Sequence, residues 1–201
     1  MSQLILIRHG QSVANRDLMV AGQLDTPLTD LGRQQARQTA PLIQGIQVDS
    51  IHSSTLSRAR ETLSELNSVL NLEAPVTYHD DLRELHWGEL QGTYDNGHGE
   101  SALPSRSEWF TWSGRVPGGE SYEEASNRIV GYFERVLGPE LHSGKNVLLV
   151  AHAGVFKPLI RHLENLPFEE TNNLRLANCE VRLYSFDDAL NVVSVEGRRI
   201  P

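Results

Sequence analysis

Two histidines in this 201-residue chain each stand at the end of an apolar run, with a glycine one or two residues beyond. The first run is Leu4-Ile5-Leu6-Ile7, ending in Arg8-His9-Gly10; the second is Val147-Leu148-Leu149-Val150-Ala151, ending in His152-Ala153-Gly154. A neutral imidazole is a competent nucleophile near pH 7, and it can also serve as acid, base or ligand. Arg8 adds a planar fork of donors that matches phosphate oxygens. Gly10 has no Cβ to keep a ligand away from the backbone. Ser57-Arg58 places a second guanidinium near a helix start, where free N–H groups also favour anions. Glu84, between Arg83 and Leu85, is a carboxyl group able to give or take a proton. Together these residues suit attack on a phosphoryl group, whose charge in flight is spread over oxygens that fixed donors stabilise. Taken singly, each has a plainer reading. Arg58 could pair with Glu61 or Glu65 along a helix, Glu84 could be a solvated carboxylate, and His9 could end a strand that happens to be polar.

The elements that would position these groups alternate between strand and helix. Four apolar residues from Leu4 read as a buried strand. Met19 to Leu28 reads as a loop returning towards it. Thr29 suits an N-cap, with Asp30 in the first turn and Leu31, Ala36, Ala40 and Ile43 as an inward stripe. Val48 to His52 is a second strand. Residues 53–62 open a helix with Leu63, Leu66 and Leu70 buried, and 75–78 is extended. From Thr93 to Gly119 the chain is rich in Gly, Pro and Ser around Trp109, Phe110 and Trp112. This stretch reads as an inserted excursion, partly helical near 108–112. Ser121 and Glu124 form a capping box for a helix to about Leu141. Asn146 to Ala151 is a buried strand, followed by a helix from Val155 that carries Leu159, Ile160 and Leu163 inward, with Pro158 in or near its first turn. Val181–Phe186 and Val192–Val195 pair through a turn at 187–191. The alternation implies an α/β sandwich with a mainly parallel sheet, organised as a single domain. In such sheets ligands gather beyond the carboxyl ends of strands, which is where His9 and His152 would stand.

Composition narrows the partners. With 18 Lys and Arg against 26 Asp and Glu, the formal net charge is −8, which disfavours nucleic acid and anionic membranes while leaving room for a local basic pocket. Cys179 is the single cysteine, so no intrachain disulfide forms. No basic-then-apolar leader or bilayer-length apolar run is present, and the expected location is cytoplasmic.

Five motifs, in order, carry a family resemblance. Arg8-His9-Gly10 with Asn15, Ser53-Ser54 through Arg58-Ala59 to Thr62, Leu82-Arg83-Glu84 ahead of Gly88, Gln91-Gly92, and Ala151-His152-Ala153-Gly154 resemble the histidine phosphatase superfamily, in its phosphoglycerate-mutase-like branch. Ala153 stands where many members have Gly, and Gln11 where many have Glu. The resemblance implies a three-layer α/β/α sandwich with a mainly parallel central sheet. It implies that His9 takes the phosphoryl group, that Arg8, Arg58 and His152 hold its oxygens, and that Glu84 protonates the leaving group. Asn15, Gly22 and Gln23 would line the pocket. No cofactor and no metal are implied, and Arg8 and Arg58 would repel a divalent cation from His9. The expected activity is a phosphomonoesterase acting on a small phosphorylated metabolite. The alternatives are a cofactor-dependent, 2,3-bisphosphoglycerate-type phosphoglycerate mutase and a non-catalytic phosphate-binding module. Mutases of this family resemble one another in a longer insertion after the acid, with adjacent arginines. Here the 93–119 segment has only the separated Arg106 and Arg115, with aromatics between them. It is expected to cover the pocket, with Phe110 facing the leaving group and Arg106 or Arg115 a second anion. Whether the chain forms a homo-oligomer is left open.

Overall fold

A computed structural model describes residues 1–94 and 107–200. Its centre is a six-stranded sheet in the order β3-β2-β4-β1-β5-β6. The strands are β1 (Ser2–Arg8), β2 (Ser50–Ser54), β3 (Val76–His79), β4 (Val147–Ala151), β5 (Val181–Phe186) and β6 (Val192–Arg198). β3, β2, β4 and β1 run parallel, whereas β5 and β6 add two antiparallel pairings. The continuous apolar runs follow from burial on both faces. Leu4 and Leu6 of β1, with Val147, Leu149 and Ala151 of β4, face one core. Ile5 and Ile7, with Leu148 and Val150, face the other. After the one-turn α1 (Val13–Arg16), helices α2 (Asp30–Ile43) and α3 (Ser57–Leu70) cover the second face through Ala40, Ile43, Ala59, Leu63 and Leu66. The first face is covered by α4 (Tyr122–Tyr132), a π-helical turn at Phe133–Leu137, α5 (Gly138–His142) and α6 (Ala153–Glu164). The expected three-layer α/β/α arrangement with a mainly parallel sheet is therefore present.

Several local expectations shift. Thr29 does cap α2, its hydroxyl accepting from the Gly32 N–H, but Leu31 points to solvent, 48% exposed. Ser53 and Ser54 extend β2, and α3 begins only at Ser57 with no side-chain cap. β2 starts at Ser50, two residues after the expected start. The Ser121–Glu124 capping box forms as read. α6 begins at Ala153, immediately after His152, so Pro158 is well inside it. Pro158 therefore cannot donate to the Gly154 carbonyl. The expected strand from Val192 continues to Arg198.

Register places the chemistry. β1 and β4 are in step from Leu4 beside Val147 to Arg8 beside Ala151, so His9 and His152 leave neighbouring strands at one level. β2 lies on the other side of β4 and ends at Ser54 beside them. The three carboxyl ends converge without help from any loop.

Candidate active site

Arg8, His9, Arg58 and Glu84 line one small cleft, of about 120 Å³, with Asn15, Gly22 and Trp87 also on its walls. His9 is 2% exposed. Its Nδ1 lies 2.7 Å from the Gly10 carbonyl. A carbonyl can only accept, so Nδ1 carries the proton and Nε2 keeps its lone pair. Burial holds the His9 pKa well below the ordinary 6.5, and Arg58 and Arg8 lower it further. The ring is neutral, as a nucleophile must be.

Arg58 is 2% exposed, and it does not pair with Glu61 or Glu65. Those carboxylates bind Arg33 and Arg37 instead. Its Nη1 donates to the Leu24 carbonyl at 2.9 Å and its Nη2 to the Gly22 carbonyl at 2.7 Å. Its Nε donates to His152 Nδ1 at 3.2 Å. Three of its five N–H groups are thus committed, leaving two for the cleft. The Met19–Leu28 loop does fold back near the first strand, to the residues just past its end, since Val13 N–H donates to the Pro27 carbonyl. Through Gly22 and Leu24 that loop clamps Arg58. Arg8 donates through Nη1 to the Leu176 carbonyl, and its buried Nε has no hydrogen-bond partner among the described residues. An unpaired guanidinium N–H out of water is a costly state that an anion relieves.

His152 is placed differently from the phosphate-holding position that the resemblance implies. It has no exposed surface. Its Nδ1 accepts from Arg58, and its Nε2 donates to Ser54 Oγ at 2.8 Å. Its ring centroid lies 5.0 Å from that of His9. In this arrangement it orients Arg58 from behind. Gln23 also turns away from the cleft, its Nε2 donating to the Glu84 carbonyl at 3.0 Å. Gly22 lies in the cleft wall at φ +50°, where a Cβ would come 2.3 Å from Gln91 Oε1. Asn15 Oδ1 accepts from Ser12 N–H and from Asn178 Nδ2.

Gly10 has a packing role rather than a ligand-facing one. A Cβ there would stand 2.4 Å from the Gly32 carbonyl oxygen, so α2 is what requires the glycine. The Gly10 N–H donates to Thr62 Oγ1 at 3.0 Å. Glu84 rests on α6: a Cβ on Gly154 would be 2.1 Å from Glu84 Oε1. Sequence reasoning missed Trp87, Ser54 as a histidine partner, Asn178 and the packing duties of Gly32 and Gly154. Gly32 carried a signal, since a glycine in the first turn of a helix often marks a close approach. Asn178, distant in sequence from everything it touches, carried none.

In the excursion, residues 95–106 lie outside the described residues, and Arg106 with them. The rest bears on the expectation directly. Residues 107–110 form a 3₁₀ turn. Phe110 is 44% exposed, its ring 5.9 Å from that of Trp87 on the cleft wall. Trp112 packs on Phe168 and lies under Arg161. Arg115 pairs with Glu124, so it is not held ready for a second anion. No cluster of three or more metal-binding side chains occurs among the described residues.

Comparison with known proteins settles the family. The sequence model of the histidine phosphatase superfamily, branch 1, matches residues 4–196. The chain belongs to the histidine phosphatase superfamily. It is 32% identical over 202 residues to the 2,3-bisphosphoglycerate-dependent phosphoglycerate mutase of Cytophaga hutchinsonii, covering 98% of this chain and 94% of that one. It is 35% identical over 185 residues to phosphoglycerate mutase 2 of Gloeobacter violaceus, covering 89% and 83%. Among solved structures it resembles a mycobacterial glucosyl-3-phosphoglycerate phosphatase, with TM-score 0.80, 27% identity and coverage of 99% and 98%. It also resembles a putative α-ribazole-5′-phosphate phosphatase of Escherichia coli, with TM-score 0.81, 26% identity and coverage of 99% and 95%. The Cytophaga mutase aligns at nearly equal length, so a longer insertion does not by itself separate mutases from this chain.

Proposed function

We propose that this member of the superfamily is a metal-independent phosphomonoesterase that works through a phosphohistidine on His9. One observation carries the reading: the His9 ring is held neutral with Nε2 unprotonated, beside two guanidiniums that have donors to spare and within one cleft with Glu84. In the first step Nε2 bonds to phosphorus as the ester P–O bond breaks. Arg8 and Arg58 hold the equatorial oxygens, and their fixed positions supply the stabilisation that the charged transition state needs. Glu84 gives its proton to the departing oxygen. In the second step water attacks the phosphohistidine, Glu84 takes its proton, and inorganic phosphate leaves with His9 restored. His152 keeps Arg58 in place and does not itself touch the phosphoryl group. The pocket sees only that group, so substrate choice falls to whatever covers the rest, and the 93–119 segment reaches the cleft through Phe110 on Trp87.

The mutase reading rests on the names of the sequence relatives. A mutase must hold a second anionic group while the phosphoryl group moves, and must keep water out. The described part of the covering segment offers Arg115 only in a pair with Glu124, which supports hydrolysis. The deciding experiment measures phosphate release from a panel of small phosphomonoesters beside isomerisation of 3-phosphoglycerate primed with 2,3-bisphosphoglycerate. Phosphate release that dominates, unchanged by EDTA, is the expected result. Isomerisation far faster than release would establish the mutase.

A further inference from the structure

Glu84 must deliver a proton to one oxygen, yet no helix or strand holds it. It lies in the irregular stretch 83–87, between 3₁₀ turns at Asp80–Leu82 and Gly88–Leu90. Leu82 and Leu85, each 1% exposed, anchor that stretch in the core. Apolar burial is non-directional and sets no torsion angle, whereas a catalytic group displaced by about 1 Å can lose a hundredfold in rate. The peptide groups around Glu84 have no ladder of their own, so their hydrogen bonds must come from elsewhere.

Three side chains supply them. Arg128 of α4 donates through Nη1 to the Arg83 carbonyl at 3.0 Å and to the Asp81 carbonyl at 2.5 Å. The Arg83 carbonyl belongs to the peptide that joins Arg83 to Glu84. On the next peptide, Gln23 Nε2 donates to the Glu84 carbonyl at 3.0 Å. The other nitrogens of Arg128, Nε and Nη2, donate to the two Glu120 carboxylate oxygens at 3.2 and 2.6 Å. Glu120 Oε1 also accepts from the His86 N–H at 2.9 Å, and the Glu120 N–H donates to the His86 carbonyl at 3.0 Å. A Cβ on Gly119 would stand 2.5 Å from that carbonyl oxygen, so the two backbones run in contact. The Arg128 and Glu120 side chains are 19% and 17% exposed, and neither residue lines the cleft. Glu84 thus has a fixed peptide on each side. Its own Oε1 accepts from the Leu85 N–H at 2.8 Å, which leaves Oε2 to carry the proton.

We propose that Arg128 and Gln23 are positioning residues for the general acid, fixing the two peptides of Glu84 so that its carboxyl proton meets the leaving oxygen. As the ester P–O bond breaks, its electron pair stays on that oxygen, the Glu84 proton joins it, and Glu84 is left as a carboxylate. Both positioning residues act through Glu84. Arg128 serves as a planar fork that meets two carbonyls and one carboxylate at once, a geometry a lysine cannot reproduce. The inference rests on the phosphatase reading above and adds to it the residues that aim its acid.

The test uses the full-length protein and compares kcat/KM for glycerol 1-phosphate, whose alkoxide needs the proton, with that for nitrophenyl phosphate, whose leaving group does not. In Arg128→Gln the value for glycerol 1-phosphate should fall by about 10–100-fold, and that for nitrophenyl phosphate by no more than about threefold. Gln23→Ala, which breaks no ion pair, should shift the ratio of the two in the same direction by a smaller factor. Arg128→Lys should resemble Arg128→Gln. On a Glu84→Gln background neither substitution should move the ratio further by more than about twofold, because no proton is left to aim. A purely structural role would slow both esters equally, and would do so again on the Glu84→Gln background; that outcome overturns the proposal. An unchanged ratio removes the residue substituted from the role, and an Arg128→Lys enzyme with the parent ratio assigns the effect to charge instead of the fork. Should Arg128→Gln fail to fold, Arg128→Gln combined with Glu120→Gln, which leaves no carboxylate unpaired, and Gln23→Ala carry the same measurement. If the parent enzyme releases phosphate from neither ester, the phosphatase reading falls and this assignment with it. If it releases phosphate and the ratio stays fixed in every variant, only the positioning falls.

Discussion

His9 and His52 are equally buried, each 2% exposed, and both come from parallel strands of one sheet or their immediate ends, yet their neighbours are opposite in charge. His52 Nε2 faces Glu140 at 3.3 Å, and its Nδ1 accepts from the Tyr132 hydroxyl at 2.8 Å. Ser50 donates to the same carboxylate. Burial lowers the His52 pKa while Glu140 opposes it. For His9 nothing acidic offsets burial to the same degree, and two guanidiniums add to it. A polar network closed on itself is structural, whereas an imidazole surrounded by under-used cations is incomplete until an anion arrives. The contrast teaches that burial alone does not mark a working histidine; the sign of the surrounding charge does.

The sharpest way to break this comparison is to remove each ring. His9→Ala should reduce turnover of any ester by about 10⁴-fold or more, as loss of a nucleophile does, with the melting temperature little changed. His52→Ala should do the reverse, keeping turnover at 25 °C while losing about 1–3 kcal/mol of stability through the unpaired Tyr132 and Glu140 groups. Thermal melts and initial rates on both variants check this, and similar kinetic losses in the two would erase the distinction. Next in size is Glu84→Gln. It should slow alkyl phosphates by about 10²–10⁴-fold and nitrophenyl phosphate far less, because nitrophenolate leaves without a proton. Equal losses for both esters in phosphoenzyme formation would remove Glu84 from that step.

Acid titration of stability is the third test. The folded pKa values of His9, His152 and His52 all lie below the ordinary 6.5. Between folded and unfolded values the unfolded chain binds more protons, so stability is complete above about pH 6.5 and declines as pH falls below it. Each histidine contributes a slope of at most about 1.4 kcal/mol per pH unit. His9→Gln should make the decline shallower, measured by urea melts from pH 7 to 5, and an unchanged slope would mean that His9 does not stay neutral in the fold. The smallest effect belongs to Phe110→Ala. At 44% exposure it should cost no more than about 0.5 kcal/mol while reordering the substrate panel. A loss of several kcal/mol with the ranking intact would make the residue part of the packing instead.

Much of this was legible in the chain. The apolar runs before His9 and His152 are short and rich in branched residues, as buried strands are, and the Ser121–Glu124 box starts its helix by local hydrogen bonds. Residues whose role is set by neighbours in sequence could be read because period and cap chemistry are local. The pairing of β1 with β4, by contrast, joins residues about 143 apart, and only that register puts the two histidines side by side. The same holds for His152 turning its nitrogens to Ser54 and Arg58, for Gln23 turning to the Glu84 carbonyl, and for Gly10 serving α2. Sequence determined which groups could do chemistry and on which elements they stand, because strand and helix periodicity need only nearby residues. Tertiary structure decided which of those groups face the cleft and which are spent holding one another, because hydrogen bonds and charge pairing depend on distances that chain order does not contain.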